Sequence, residues 1–268
     1  MKLKNYIAGQ WIEGSGNEIP LYNAVNGELV AVSDTEGIDF ESALHYGRTV
    51  GYKNLSSMTF YDRGEMLKKV ALYLLERKKK YYDLSYKTGA THADSWVDIE
   101  GGFGTFFTYS GLAKRMLPNT PFWVDGDTQK ISANGTFLGT HILTPSEGVS
   151  VQINAYNFPV WGMMEKLSTS LLAGVPSIVK PATPGSYLTN AVFQDMIESG
   201  ILPEGAIQLV CGEPGNILDY VQDGDSVLFT GSANTGRKLK SLPSVSTNAV
   251  RFNMEADSLN CSILGLDA

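Results

Sequence analysis

A chain of 268 residues, 43% apolar and 18% charged, can bury a substantial core and is too apolar to stay disordered. A net charge of −7 argues against a nucleic-acid partner, whose phosphates call for a basic excess. Cys211 and Cys261 form no CxxC, residues 1–6 have no apolar leader core, and no run reaches membrane-spanning length, so a reducing, cytoplasmic setting is expected.

Residues 5–32 alternate short apolar runs with turn residues, as small hairpins lying on a larger body do. A helix is expected from Ile38 to Gly51, with Phe40, Ala43, Leu44 and Gly47 on one side. The clearest helix runs from Thr59 to Tyr86, where Met66, Leu67, Val70, Ala71, Leu74 and Leu75 form one apolar stripe. Thr59 and Asp62 suit a capping box and Gly89 a stop. Arg77 to Lys80 suits a helix C-terminus or a solvated face. A second helix is expected over Asp94–Met116, with Trp96, Ile99, Phe103, Phe106 and Phe107 in the core and Gly101-Gly102 packed closely on a neighbour. Pro118 to Asp127 reads as a loop. Residues 130–139 then read as a hairpin turning at Asn134-Gly135, with His141–Thr144 extending its return strand. That hairpin, about residues 128–145, suits either a subunit contact or an ordinary sheet edge. His45, His92 and His141 stand singly and fit no metal spacing, and no GxSxG elbow occurs.

From Gly148 the chain alternates strands and helices. Strands are expected at 149–153, 177–179, 206–210, 227–230 and 248–252, and helices at 160–173, 187–199, 214–221 and 233–242. Repeated βα units of this length predict an α/β fold, a doubly wound, Rossmann-like parallel sheet that binds ligands beyond the carboxyl ends of its strands. The segments just after the strands are therefore the candidates. Asn154-Ala155-Tyr156-Asn157 follows the first, Lys180-Pro181-Ala182-Thr183 the second, Cys211-Gly212 the third and Gly231-Ser232 the fourth. The turn from Phe229 and Thr230 through Gly231 and Ser232 to Gly236 suits a phosphate at a helix start, or a purely structural turn. Lys180 suits a hydroxyl or phosphate partner, or a surface lysine. Asn157 suits an oxyanion donor, or a strand-ending turn former. Glu255, between Met254 and Ala256 after the fifth strand, suits a general base with a raised pKa, or a capping or salt-bridged glutamate.

Together these residues resemble the aldehyde dehydrogenase superfamily. Tyr156-Asn157-Phe158-Pro159 is similar to its oxyanion-hole motif, with Tyr156 for the usual Trp and Ala155 for the preceding Pro. Lys180-Pro181 is similar to its adenosine-ribose motif, and Phe229-Thr230-Gly231-Ser232 through Gly236 to its pyrophosphate turn. Glu255 falls where the family keeps its general base, although Ala256-Asp257-Ser258 replaces the common Leu-Gly-Gly. Asn5 to Trp11 resembles the family's opening segment. The resemblance implies catalytic roles for Asn157 and Glu255. It implies cofactor contacts from Asn154, Ala155, Tyr156, Lys180, Pro181, Thr183, Gly212, Phe229, Thr230, Gly231, Ser232, Gly236 and Met254.

The runs Thr88–Thr91, Ala93–Gly102 and Met254–Cys261 are closest to a branch of that family that works in phenylacetate degradation. There the dehydrogenase is joined to a hydratase-like domain that hydrolyses oxepin-CoA. The resemblance implies a CoA-linked semialdehyde substrate, 3-oxo-5,6-dehydrosuberyl-CoA semialdehyde, and NADP as cofactor. Thr183, where NAD-preferring members commonly carry Glu, permits NADP and leaves NAD open. The family's nucleophilic cysteine falls beyond Ala268, and strand-like Ser262-Ile263-Leu264 precedes the end. The chain is thus expected to be the amino-terminal cofactor-binding half of an enzyme that is a homo-oligomer at full length. The alternative is a nucleotide-binding or interaction subunit without chemistry.

Overall fold

In the computed structural model, which describes residues 1–257, 261 and 263–265, the chain opens with a tight hairpin of β1 (Asn5–Ile7) and β2 (Gln10–Ile12). Ala8 (φ 48°) and Gly9 (φ 79°) supply the two positive φ angles that such a turn needs. The hairpin does not simply lie on the body as its sequence suggests. Tyr6 pairs antiparallel with Leu209, so both strands extend the main sheet. β3 (Ile19–Tyr22) and β4 (Leu29–Ser33) form a separate two-stranded sheet.

The helix expected over 38–51 is α1 (Phe40–Tyr46), a π-helical turn at Gly47–Gly51 and α2 (Tyr52–Ser56). α3 (Phe60–Leu75) starts on the expected capping box, with the Asp62 N–H donating to Thr59 Oγ1 at 3.1 Å and the Thr59 N–H to Asp62 Oδ2 at 3.0 Å. It does not run on to Tyr86. The chain turns at Glu76-Arg77 and resumes as α4 (Lys78–Ser85). Arg77 explains the break: its guanidinium lies 3.5 Å above the Tyr73 ring and donates to the Tyr73 carbonyl at 2.9 Å, satisfying one of the carbonyls that a helix end orphans. Gly89 (φ 88°) then ends the segment as expected. α5 (His92–Trp96), a π-helical turn at Val97–Gly101 and α6 (Gly102–Met116) follow as one run. Ile99, Phe103 and Phe106 are core and Phe107 packs at its margin, but Trp96 is exposed, against expectation.

β5 (Trp123–Lys130) and β6 (Leu138–Leu143) make the projecting hairpin. It begins at Trp123, inside the segment that reads as a loop, because the ladder pairs Trp123 with Leu143. Its turn is also longer than expected, and Ile131 to Ala133 belong to it rather than to a strand. All eight residues of β5 are exposed.

The doubly wound sheet is present. Its elements are β7 (Ser150–Ile153), α7 (Pro159–Leu172), β8 (Ser177–Lys180), α8 (Ser186–Glu198), β9 (Ile207–Leu209), β10 (Ser226–Gly231), α9 (Ala233–Lys240), α10 (Pro243–Thr247) and β11 (Arg251–Ala256). The strand order is β11-β10-β7-β8-β9-β1-β2, with β7 to β11 parallel. Two expectations fail. The helix expected at 214–221 is a single 3-10 turn, Ile217–Tyr220, because Gly215 takes φ 50° against the Phe40 ring. The last strand starts at Arg251, so Met254 and Glu255 lie within it instead of after it. Ser258 and Ser262 lie outside the described residues. One buried cluster packs α3, α6, α7 and α8 on one face of the sheet, and a second packs α1 and α10 on the other. The chain order reverses between β7 and β10, which is the switch point where open α/β sheets place ligands.

Candidate active site

The loop from β7 to α7 enters this crevice. The Asn154 N–H donates to the Lys180 carbonyl at 3.0 Å, the last rung of the ladder, and the chain then leaves the sheet. Beyond that rung is a cavity of about 310 Å³. Ala155, Asn157 and Phe158 line it from the loop, Trp161, Gly162 and Glu165 from α7, Val97 from the π-helical turn, and Thr230 and Glu255 from the sheet. The β10–β11 register sets Glu255 beside Thr230, whose hydroxyl donates to Glu255 Oε2 at 3.0 Å. Asn157 and Glu255 thus face one space although 98 positions separate them in the sequence. Glu255 is exposed there, not shielded among apolar neighbours as its sequence suggests. Tyr156 is 74% exposed and does not line the cavity.

A second group lies at the ends of β8 and β9. Lys180 is buried, and its Nζ is 3.5 Å from Thr183 Oγ1, which donates to the Gly212 carbonyl at 3.2 Å. Burial pulls the Lys180 ammonium below its ordinary value, and the nearby Glu213 carboxylate opposes that shift. Pro181 is buried beside them. Gly212 adopts φ 144°, where a Cβ would stand 2.9 Å from Thr35 Cγ2.

The third group is the turn from β10 into α9. Ser232 caps the helix, accepting the Thr235 N–H at 3.2 Å. The Ala233 N–H donates to Asp257 Oδ1 at 3.0 Å, so a carboxylate of this chain sits on the positive end of α9. Gly236 packs closely on the sheet. A Cβ there would stand 2.3 Å from Met254 Sδ and 3.1 Å from the Phe229 ring. Phe229 is itself buried and stacks on Phe252, so Phe229, Met254 and Gly236 hold α9 against the sheet. Cys211 is sealed in the core, and burial pushes its thiol up to about 12. Cys261 is exposed.

Val97, Trp161, Glu165, Glu213 and Asp257 were not among the sequence candidates. Nothing in the local pattern marks them, because each reaches its group from another element or lies on a helix face that reads as ordinary packing.

Residues 11–268 match the Aldehyde dehydrogenase family. The chain belongs to that family. Among its aldehyde dehydrogenase relatives, the 3,4-dehydroadipyl-CoA semialdehyde dehydrogenase of Aromatoleum evansii is 41% identical over the whole of this chain and 52% of its own length. The betaine aldehyde dehydrogenase of Bacillus subtilis (strain 168) is 28% identical over 98% of this chain and 52% of its own length. A 3,6-anhydro-L-galactose dehydrogenase in complex with NAP superposes with a TM-score of 0.82 at 24% identity, over 96% of this chain and 52% of that one. The betaine aldehyde dehydrogenase of Staphylococcus aureus in complex with NAD+ gives a TM-score of 0.80 at 24% identity, over 95% and 49%. The chain spans about half the length of the curated relatives it matches. No helix among the described residues is long and apolar enough to cross a membrane.

Proposed function

We propose that this chain is the cofactor-binding domain of a cytoplasmic, NADP-using dehydrogenase that oxidises a CoA-linked aliphatic semialdehyde to the acid in phenylacetate degradation. The observation that carries this reading is the shared cavity of Asn157 and Glu255 at the switch point, with an oxyanion donor and a base at one space. The likeness to a CoA-linked semialdehyde dehydrogenase over the full chain supports the substrate class.

The residues present fit a dinucleotide. Both side-chain amide atoms of Asn154 are buried without a partner among the described residues, beside the crevice. The first turn of α9 already holds an anion, in the form of the Asp257 carboxylate. Lys180 and Thr183 would hold the adenosine ribose and its 2′-phosphate, while Ser232 and the Ala233 amide would hold the pyrophosphate. When bound, the nicotinamide would accept a hydride from the aldehyde carbon once a cysteine thiolate of the full-length enzyme has added to that carbon, leaving the acyl group on sulfur as a thioester for water to hydrolyse. Asn157 donates its side-chain N–H to the oxygen that gains charge at that carbon. Glu255, oriented by the Thr230 hydroxyl on Oε2, takes a proton from the water that releases the acid. The sealed Cys211 takes no part.

The hairpin of β5 and β6 is the candidate oligomer contact. Phe137, Leu138 and Ile142 are each more than half exposed on it, and apolar groups so placed favour burial against a second copy. Following nicotinamide reduction in the full-length protein tests the reading. Turnover is expected with CoA-linked semialdehydes and NADP, and turnover confined to free aldehydes would refute the substrate class.

A further inference from the structure

We propose that Asp98 is a positioning residue for the active site: its carboxylate fixes the first turn of α7 and, with it, the loop that carries Asn157. This inference rests on the role given to Asn157 above.

The start of α7 lacks a local cap. Phe158 stands at the capping position with no side-chain acceptor, and Pro159 at the first helical position has no N–H. The first free amides belong to Val160 and Trp161. Both donate to one atom, Asp98 Oδ1, at 3.0 and 2.8 Å. Asp98 is 4% exposed and comes from the π-helical turn Val97–Gly101, 62 positions earlier in the chain. The same turn grips the helix a second way. A Cβ on Gly101 would stand 2.3 Å from the Trp161 ring, and one on Gly102 would stand 3.1 Å from the Trp161 backbone nitrogen. The carboxylate holds the amides while the glycines admit the ring. Trp161 then donates its indole N–H to Glu165 Oε2 at 3.0 Å, and Val97, next to Asp98, lines the cavity.

Asn157 depends on this grip. Its side chain makes no hydrogen bond among the described residues, so the backbone on either side sets its place. Upstream, that backbone is fixed by the Asn154–Lys180 rung, and downstream by Asp98 on the first turn of α7. Loosening the downstream end moves the donor without removing it. A displacement of about 1 Å in a reacting group costs on the order of a hundredfold in rate.

The test compares Asp98→Ala, Asp98→Asn and Asn157→Ala in the full-length enzyme. Asp98→Asn keeps an oxygen acceptor and is expected to retain kcat. Asp98→Ala is expected to lower kcat by about tenfold to a hundredfold while leaving the KM for aldehyde and the Kd for NADP nearly unchanged. Amide exchange at Val160 and Trp161 in the 268-residue chain should accelerate in Asp98→Ala only. If Asn157→Ala lowers kcat and Asp98→Ala does not, the positioning role is overturned and the site assignment stands. If Asn157→Ala leaves kcat intact, the site assignment itself fails. Should Asp98→Ala not fold, Gly101→Ala displaces the same helix start with Asp98 in place. A kcat loss at constant KM is expected there too, and an unchanged kcat overturns the inference.

Discussion

The Asp257 carboxylate accepts the Ala233 N–H at 3.0 Å and thereby occupies the anion position at the first turn of α9. Asp257 holds this place at φ 58°, in the left-handed region, with its own N–H directed to the Gly231 carbonyl at 3.3 Å. A pyrophosphate entering the turn has to displace it, and the like charges oppose each other. Asp257→Ala is expected to raise the affinity of the chain for NADP about threefold, the scale of one charge at a helix terminus. Calorimetric titration decides it, and weaker or equal binding in the variant would count against competition at this turn.

The 2′-phosphate of NADP is expected to meet Lys180 and Thr183. Thr183→Glu places a carboxylate against it and should weaken NADP binding by about tenfold, about 1.4 kcal/mol, with little change for NAD. Glu213, whose charge acts on Lys180, already works against a phosphate there. Glu213→Gln should therefore improve NADP relative to NAD. Paired titrations of both cofactors against both variants check the two expectations, and an NADP affinity unmoved by Thr183→Glu would mean that Thr183 does not face the phosphate.

Asp98 also makes stability depend on pH. Burial pushes its carboxyl up to about 7 from the ordinary 3.8, against the lowering pull of the Trp161 and Val160 amides. Of the carboxylates on the neighbouring turns, Glu100 is paired with Lys78 at 2.9 Å and Glu165 with Lys166 at 3.1 Å. The folded chain thus holds this proton more tightly than the unfolded chain. Its contribution is complete below pH 3.8 and is lost as the pH rises through about 7. Urea denaturation between these limits should show stability falling with pH, and Asp98→Asn should flatten that slope.

The 268-residue chain by itself is expected to oxidise no aldehyde, since the Cys211 thiol is buried and held at about 12 and Cys261 is not among the residues that line the cavity of Asn157 and Glu255. Cofactor reduction by the purified chain that vanished in Cys211→Ser or Cys261→Ser would overturn this.

Gly236→Ala is expected to destabilise the chain by about 1 kcal/mol, because the new methyl group would push Met254 aside and crowd the buried Phe229 ring. The shift of a denaturation midpoint measures it. No loss would mean that α9 lifts freely from the sheet.

Much of the carboxyl half is legible in the sequence because it is locally coded. The runs before Asn154, Lys180 and Gly231 are short, apolar and rich in β-branched residues, and each is followed by a helix close to the expected extent, whereas the run before Cys211 is not. Where the code is not local, reading fails. Arg77 breaks a helix through a side chain that satisfies a carbonyl four residues back, with no glycine or proline to announce it. Trp123 to Asp127 reads as a loop because its ladder partners lie across the hairpin. Asn157 and Glu255 are found by their motifs, whereas Asp98, Glu213 and Asp257 act through space on other elements and leave no spacing to read.

The far edge of the main sheet is closed by the first dozen residues of the chain. Asn5 Oδ1 accepts the Cys211 N–H at 2.7 Å, and Gln208 Oε1 accepts the Ala8 N–H at 2.9 Å, contacts that span 206 and 200 positions of sequence. Pairing of such separation raises contact order and slows folding. During synthesis the hairpin of β1 and β2 is made well before its berth on β9, which does not exist until about two hundred further residues have followed. Among the strands of the main sheet this hairpin is therefore the one that waits longest with its edges bare, and a chaperone acting on this protein would meet it before the rest of that sheet.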